Sequence, residues 1–344
     1  MSGPDAPPDP APVLELIDAF RRSKTMFAAV SLGVFEALHN GPSDASTLAA
    51  RLPGPVTATE ALERLLDACV GLELLAKREG VYSNRPVAET YLCDHGPRSL
   101  TGYVLYSNEA LFPMWAHLED AIREGAPRWT QTFGWEGSIF DHFFKTGDRR
   151  RHFLRGMHGF GQLSSGPVAA AFDLSRFRRM ADLGGATGHL AIAACERYPQ
   201  LHAAVFDLPD VIAMARDYVA ASPARGRIEL IGGDFFRDDL PPADLYSLGR
   251  ILHDWPEERI RGLLSKIYAA LPAGGALLVA EKLLDDDKSG PAPAHLQSLN
   301  MLVCTEGKER SLAEYTALLV PAGFASVEGR RTGAVLDAVL ANKA

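Results

Sequence analysis

Apolar residues recur along this chain at two different spacings, and the change between them divides the sequence. Up to about residue 172 the apolar positions return every three or four residues, which is typical of amphipathic helices. Beyond that point short apolar runs alternate with helical stretches, which predicts a mainly parallel sheet covered by helices on both faces. The pattern therefore predicts an α/β protein whose doubly wound sheet follows a helical N-terminal half.

The first hundred residues predict several helices. One opens near Val13 and continues through residues 26–35, where it is apolar on nearly every face. Such a helix is buried, either within the chain or against a second subunit. Shorter helices are predicted after Asp44 and from Thr57, because Thr57 and Glu60 have the spacing of a capping box.

A small hairpin is predicted next, with strands at residues 74–78 and 81–84. Helices followed by a hairpin indicate a winged helix, a fold that can bind DNA. The helix that would enter the DNA groove is acidic, however, and phosphate binding needs the opposite charge. We therefore expect this domain to pack or dimerise and not to bind nucleic acid. The charged residues of that helix are Glu60, Glu63, Arg64, Asp67 and Glu73.

Seven strands are predicted in the C-terminal half. The last two lack a full helix between them, so we expect an antiparallel end to the sheet. The strands are residues 179–183, 202–207, 228–231, 244–250, 276–282, 325–329 and 334–340. The predicted domains are a disordered tail (1–12), a winged-helix-like dimerisation domain (13–98), a helical linker and substrate-pocket layer (99–172) and a cofactor-binding domain (173–344).

Composition narrows the choice of partners. The 344 residues carry a formal net charge of −8, which argues against nucleic acid or an anionic membrane as a partner. The tail lacks the features of a signal peptide, and no apolar run approaches the roughly 20 residues of a membrane span. The cysteines have neither zinc-like spacing nor a disulfide framework, so we expect a reduced, cytoplasmic protein. They are Cys69, Cys93, Cys195 and Cys304.

A glycine-rich turn between two acidic residues carries the most specific signal. Asp182 ends one strand, the run from Gly184 to Gly188 leads into a helix, and Asp207 ends the next strand. This order is that of the nucleoside-binding edge of a doubly wound sheet. The run lacks the glycine spacing of a dinucleotide site, and Asp182 would repel phosphate. S-adenosylmethionine fits, because it is cationic, has no phosphate and offers ribose hydroxyls to Asp207.

A histidine marks the predicted reaction centre. His253 follows the fourth strand, and Glu281 and Glu309 lie at two further strand ends. Methyl transfer is an in-line displacement, in which the protein positions the acceptor and removes a proton from a phenol of pKa about 10. A neutral histidine can remove that proton, with a carboxylate behind its other nitrogen to fix the tautomer. The sequence thus predicts His253 as a general base.

Four motifs in a fixed order identify a family. Val-Phe-Asp207-Leu-Pro, Gly-Asp234-Phe-Phe, Leu-His253-Asp-Trp-Pro and Ser-Leu-Asn300-Met-Leu-Val-Cys-Thr-Glu-Gly-Lys-Glu309-Arg closely resemble the acetylserotonin O-methyltransferases and their relatives. Behind these stands the wider caffeate-type family of small-molecule O-methyltransferases. The resemblance runs from about Val13 to Lys343.

The resemblance implies a class I S-adenosylmethionine-dependent methyltransferase sheet and an N-terminal winged-helix-like dimerisation domain that is all-helical apart from the hairpin. It also implies a homodimer, S-adenosylmethionine as cofactor and no metal. His253 matches the family's base, Glu281 and Glu309 match the carboxylates that flank it, and Asp254 is expected to be structural. The residues that match the cofactor site are Gly184, Asp207, Gly233, Asp234, Phe235, Arg250 and Trp255.

The substrate pocket matches the family less well. Where acetylserotonin enzymes carry a tyrosine, a tryptophan and a glutamine, this chain carries Phe144, Gly161 and Cys304. Loss of the amide and added volume at Gly161 argue against N-acetylserotonin itself. The acceptor-contacting residues that are kept are Asn300 and Met301, and Met157 is a further apolar candidate.

The residues leave two classes of function open. The first is a methyltransferase for a small aromatic hydroxyl, with a heteroaromatic nitrogen or sulfur as other accepting atoms. The second is a cofactor-binding protein that has lost methyl transfer and serves as a regulatory or repurposed homologue. His253, Glu281 and Glu309 are all present, which favours the methyltransferase.

Overall fold

The structure is a computed structural model that describes residues 7–96, 98–136 and 147–344. Part of the predicted tail and Phe144 lie outside the described residues. The chain separates into two compact units, Met1–Glu109 and Ala110–Ala344. Among the described residues, no helix is long and apolar enough to cross a membrane.

The first unit consists of helices and one antiparallel hairpin. The hairpin predicted from the sequence is confirmed, with Leu75 opposite Asn84. The helices are α1 (Ala11–Ser31), α2 (Val34–His39), α3 (Ala45–Ala49), α4 (Thr59–Gly71), α5 (Pro86–Tyr91) and α6 (Thr101–Tyr106), and the strands are β1 (Leu75–Arg78) and β2 (Val81–Asn84).

The predicted helix ends differ from the structure in two places. Gly33, with a φ of 76°, separates α1 from α2 where one continuous helix was expected, because only glycine adopts this left-handed conformation readily. The capping box at Thr57 is wrong: Ala58 occupies the capping position, and no side chain caps α4. Thr57 precedes that position. The helix expected after Asp44 is confirmed, because the Asp44 carboxylate accepts a hydrogen bond from the Thr47 amide at 2.9 Å.

The first unit buries a core but leaves the beginning of α1 bare. Phe35, Leu48 and Leu66 are fully buried. In contrast, the apolar side chains near the start of α1 are more than half exposed, so burial within the chain does not hold for these two turns and burial against a second subunit is the alternative that remains. Those side chains are Val13, Leu14, Leu16, Ile17 and Phe20.

The second unit is built on a seven-stranded sheet of order β10-β11-β7-β6-β3-β4-β5. Its strands are β3 (Arg179–Leu183), β4 (His202–Asp207), β5 (Ile228–Gly232), β6 (Leu245–Gly249), β7 (Ala276–Glu281), β10 (Ser326–Arg330) and β11 (Asp337–Asn342). β11 pairs antiparallel with both β10 and β7, and the other pairs of neighbouring strands in this sheet are parallel. The predicted doubly wound sheet with an antiparallel end is confirmed.

Helices cover both faces of this sheet. Successive side chains of β7 alternate between two apolar clusters: Leu278 packs with one and Leu277 with the other. The helices are α7 (Phe112–Trp115), α8 (Leu118–Glu124), α9 (Trp129–Phe133), α10 (Gly147–Ala171), α11 (His189–Arg197), α12 (Pro209–Ala221), α13 (Glu257–Ala270), α14 (Ala292–Cys304) and α15 (Leu312–Leu319); a short parallel pair, β8 (Leu283–Leu284) and β9 (Arg310–Ser311), precedes α15.

A capping box fixes the start of α15. The first residue of the box, Ser311, lies two residues after Glu309. The Ser311 hydroxyl accepts a hydrogen bond from the Glu314 amide at 3.3 Å, and the Glu314 carboxylate accepts one from the Ser311 amide at 2.8 Å. The Ser311→Ala variant should therefore lose about 1 kcal/mol of unfolding free energy, measured by urea denaturation. Ser265→Ala on the exposed face of α13 is the control and should change stability little. An unchanged midpoint in the Ser311 variant would contradict the capping role.

Candidate active site

The imidazole of His253 lies buried against a carboxylate. His253 sits on a single 3₁₀ turn, Leu252–Asp254, directly after β6. Its Nδ1 is 2.5 Å from Oε1 of Glu309, and both residues are buried. An ionised carboxylate only accepts hydrogen bonds, so the proton of a neutral His253 resides on Nδ1. The Nε2 lone pair is then available to take a proton from a substrate.

Glu281 acts on the backbone of the same turn. Its Oε1 accepts hydrogen bonds from the amides of Ile251, Leu252 and His253, at 3.1, 2.7 and 3.2 Å. Its other oxygen accepts the hydroxyl of Tyr315. The two carboxylates predicted to flank the base thus have different functions, because Glu309 orients the ring and Glu281 holds the turn. Sequence reasoning missed Tyr315, which stands in no recognisable motif.

The charges around His253 favour its protonated form. Burial lowers the pKa of His253, but the carboxylates of Glu309, Asp254 and Glu281 together raise it further, to about 9. Oδ1 of Asp254 lies 3.7 Å from Nε2 of His253. Burial raises the pKa of Asp254 to about 6, so this carboxyl is still ionised at neutral pH. Asp254, expected to be structural, therefore also acts electrostatically on the base.

A glycine turn and two carboxylates form the predicted cofactor edge. Gly184 has a φ of 67°, and a Cβ there would overlap the side chain of Ile251. The Asp207 oxygens each accept one backbone hydrogen bond, from Ala186 at 2.8 Å and from Leu208 at 2.7 Å. Each oxygen keeps a second acceptor site, which is what bidentate binding of a ribose diol requires. This edge fits S-adenosylmethionine.

Asp182 is less charged than the sequence suggested. Its side chain is buried and accepts a hydrogen bond from the Ser247 hydroxyl at 2.5 Å. Burial raises the pKa of Asp182 to about 7, so the carboxyl is only partly ionised at neutral pH. Among the described residues its other oxygen has no hydrogen-bond partner. This buried oxygen beside the glycine turn also suits a ligand rich in donors rather than a phosphate.

Residues 233–235 reach the same edge from the end of β5. The amide of Gly233 donates to the carbonyl of Asp207 at 2.9 Å, which joins two of the predicted cofactor positions. The Asp234 carboxylate accepts the amide of Phe236 at 2.8 Å and so orders its own turn. A ring carbon of Phe235 lies 3.2 Å from the position that a Cβ of Gly184 would take.

Arg250 and Trp255 lie on either side of the base in the sequence. Arg250 has a left-handed φ of 58°, and its guanidinium lies 4.4 Å from the centre of the Phe160 ring. The guanidinium of Arg259 lies 3.9 Å from the centre of the Trp255 ring. Cation–π contacts of this kind fix the orientation of both predicted cofactor residues.

The predicted acceptor residues on α14 are buried together. Asn300, Met301 and Cys304 share this helix, and the Trp115 indole donates to the Asn300 side-chain carbonyl at 2.9 Å. The Asn300 amide nitrogen therefore remains the group that can donate to a substrate. Burial, and then the nearby Asp254 carboxylate, hold the pKa of the Cys304 thiol well above its ordinary value.

Gly161 does not open the volume that its size suggests. A Cβ at this position would overlap the ring of His189, so that the space beside Gly161 is filled. The Ser165 hydroxyl lies 2.8 Å from Nδ1 of His189 and holds this ring in place. The expectation of added volume is therefore wrong next to the backbone. Met157 is half-buried on the same helix, α10.

Two half-buried histidines beside this region were not predicted. Nδ1 of His158 lies 2.8 Å from the hydroxyl of Thr187 in the glycine turn. Burial lowers the pKa of His158 to about 4 and that of His189 to about 3, so both rings are neutral. Neither histidine has a charged residue next to it in the sequence. The sequence therefore offers no signal that separates them from exposed histidines.

The fold and site together define a nucleoside-cofactor transferase of the doubly wound class, with a histidine–carboxylate pair at the reaction edge. An O-methyltransferase domain matches residues 115–325, and an O-methyltransferase dimerisation domain matches residues 14–94. The chain belongs to this family of S-adenosylmethionine-dependent O-methyltransferases, which confirms the family, fold class, enzyme class and cofactor predicted from the sequence.

Similar proteins span nearly the whole chain. Acetylserotonin O-methyltransferase of Bos taurus is 43% identical over 96% of this chain and 96% of its own length. The crystal structure of human N-acetylserotonin methyltransferase in complex with SAM matches with a TM-score of 0.92 and 37% identity, covering 99% of both chains.

One relative is much longer. The Homo sapiens protein named "Probable bifunctional dTTP/UTP pyrophosphatase/methyltransferase protein" is 42% identical over 98% of this chain. The chain spans about half of that protein, 54% of its length.

The Asp254 carboxylate should set the pH at which the base becomes active. The Asp254→Asn variant lacks one of the charges that raise the pKa of His253. Activity that needs neutral His253 rises as the pH increases through this pKa, so the rising limb of kcat/KM should move to lower pH in the variant. Glu306→Gln, at an exposed carboxylate, is the control and should leave the profile in place. A limb that does not move would mean that the profile reports another group.

Proposed function

We propose that His253 is the general base of this methyltransferase and removes the proton of a small aromatic hydroxyl as that oxygen is methylated. The observation that carries the proposal is the 2.5 Å contact between His253 Nδ1 and Glu309. This contact turns the Nε2 lone pair away from Glu309 and leaves it free to take the proton of an acceptor. The imidazolium formed on proton transfer lies between Glu309 and Asp254, which stabilise it.

The pKa values of base and substrate are closely matched. His253 has a pKa of about 9, and a phenol has one of about 10. A difference of about one unit makes proton transfer uphill by only about 1.4 kcal/mol. A histidine of ordinary pKa, about 6.5, would face a much larger gap. The buried carboxylates thus adapt the base to a weakly acidic hydroxyl.

The cofactor supplies an activated methyl group on a sulfonium. Asp207 would accept the ribose hydroxyls, and Gly184 would line the methionine end. Gly233, Asp234 and Phe235 would hold the adenosine, because Gly233 is hydrogen-bonded to the backbone of Asp207. Arg250 would contact the cofactor, and Trp255 would cover the adenine.

The acceptor site is formed by α14 and α10 in this proposal. Asn300 would donate to the acceptor, since its carbonyl is already used by Trp115. Met301, Cys304 and Met157 would provide apolar surface. The ring of His189 fills the space beside Gly161, so this residue would present a flat surface to the acceptor. The named relatives are acetylserotonin O-methyltransferases, so N-acetylserotonin is the first acceptor to test.

The chain carries the family's dimerisation domain. We infer a homodimer, which would cover the exposed apolar residues at the start of α1, among them Leu16, of which 78% is exposed. A cytoplasmic location and the bounds of the four domains given above stay predictions.

The accepting atom is tested directly with the purified protein. The protein is incubated with S-adenosylmethionine and a panel of phenols, N-acetylserotonin, heteroaromatic amines and thiols. Release of S-adenosylhomocysteine and the mass of each product are measured. We expect a methylated phenol. Products formed only from amines or thiols would contradict the proposed acceptor.

Loss of the base should separate catalysis from cofactor binding. His253→Ala should lower turnover on the best phenol about 10²- to 10⁴-fold, the usual contribution of a general base. S-adenosylhomocysteine affinity, measured by calorimetry, should change little. His202→Ala, an exposed histidine at the start of β4, is the control and should keep full turnover. Equal turnover in the His253 variant would refute the proposed base.

A further inference from the structure

A second group of potential ligands lies in the first unit, between α2 and the end of α5. We call Glu36, His39, Glu89 and His95 the α2–α5 cluster. Nδ1 of His39 contacts Oε1 of Glu89, and Nδ1 of His95 lies 3.4 Å from Oε1 of Glu36. The two imidazole rings are close together and tilted, with centroids 3.7 Å apart and an interplanar angle of 34°. Potential ligand atoms of His39, Glu89 and His95 all lie within 4.8 Å of one another.

Each carboxylate of the cluster is held by the protein at one oxygen. The side-chain amide of Asn84 donates to Oε2 of Glu89 at 2.8 Å, and the backbone amide of Asp94 donates to Oε2 of Glu36 at 2.8 Å. The other oxygen of each carboxylate faces a histidine. Hydrogen bonds of this kind orient the ligands of metal sites.

Local structure explains how the four side chains meet. Glu36 and His39 are three residues apart on α2, so they share one face of that helix. Glu89 lies on α5, and His95 lies in the turn that follows it.

We propose that His39, Glu89 and His95, with Glu36 as fourth ligand, bind one zinc ion. Two imidazole nitrogens and carboxylate oxygens are a donor set of zinc, which prefers four ligands in a tetrahedron. The side chains are 39 to 45% exposed, so an ion can reach them from solvent. The bound ion would connect α2 to the end of α5.

Cys93 lies beneath the cluster but is not one of the proposed ligands. Its thiol is buried and directed at the carbonyl of Phe35, 3.5 Å away. No motif in the sequence indicates this site, because its ligands are spread over residues 36–95 without a paired spacing.

The test is calorimetric titration of the chelator-stripped full chain with zinc chloride. We expect one equivalent to bind, with affinity reduced about tenfold or more in His39→Ala and in His95→Ala. His202→Ala is the matched control, because it removes a histidine outside the cluster, and should bind as the parent chain does. Glu89→Gln keeps the hydrogen bond with Asn84 but removes the charge, and it should also weaken binding.

Three results would overturn the proposal. They are no binding near one equivalent, equal zinc affinity in a His39→Ala/His95→Ala double variant, and magnesium chloride binding as tightly as zinc. Cobalt(II) in place of zinc should give tetrahedral absorption bands. A sulfur-to-cobalt charge-transfer band would contradict the ligand set, because it would require Cys93. Thermal unfolding of each variant is measured without metal. It shows whether a variant that does not bind zinc is still folded.

Discussion

The reaction edge depends on one short polypeptide turn held by one carboxylate. Three successive amides, from Ile251 to His253, all donate to a single oxygen of Glu281. Without that acceptor the amides would be buried and unpaired, at a cost of about 1 to 3 kcal/mol each. Glu281 stands at the end of β7, in the middle of the sheet. The position of His253, the proposed base, is thus fixed by the end of a sheet strand.

Three buried carboxyl groups and the half-buried Asp207 share this edge of the sheet, and they are stabilised in different ways. Glu281 and Asp207 accept backbone amides, Glu309 binds the imidazole, and Asp182 is partly protonated. Burying so many acidic groups opposes folding, because burial disfavours the charged form. The concentration of negative charge has a use, however. It raises the pKa of His253 and favours a cationic cofactor over a phosphate-bearing one.

Much of this fold could be predicted, because each prediction rested on local chemistry. Every strand of the large sheet was expected near its observed position, and so was the hairpin. The capping box at Thr57 failed, since a two-residue motif does not determine where a helix begins. Roles of single residues were harder. That Glu281 holds the backbone while Glu309 binds the ring depends on side-chain directions, which spacing along the chain does not reveal. Tyr315 went unnoticed for the same reason.

Gly161 illustrates why acceptor choice is the last property to emerge from a sequence. Replacing a large residue by glycine opens space only if no neighbour moves into it. Here the ring of His189, held by Ser165, occupies the position that a Cβ would need. Its ring is neutral, because burial lowers its pKa, so the wall it forms carries no charge. Glycine at position 161 therefore changes the shape and polarity of this surface more than the amount of open space beside it. Such pairs of residues come from different helices and lie far apart in the sequence, so their effect on a pocket is not visible from either position alone.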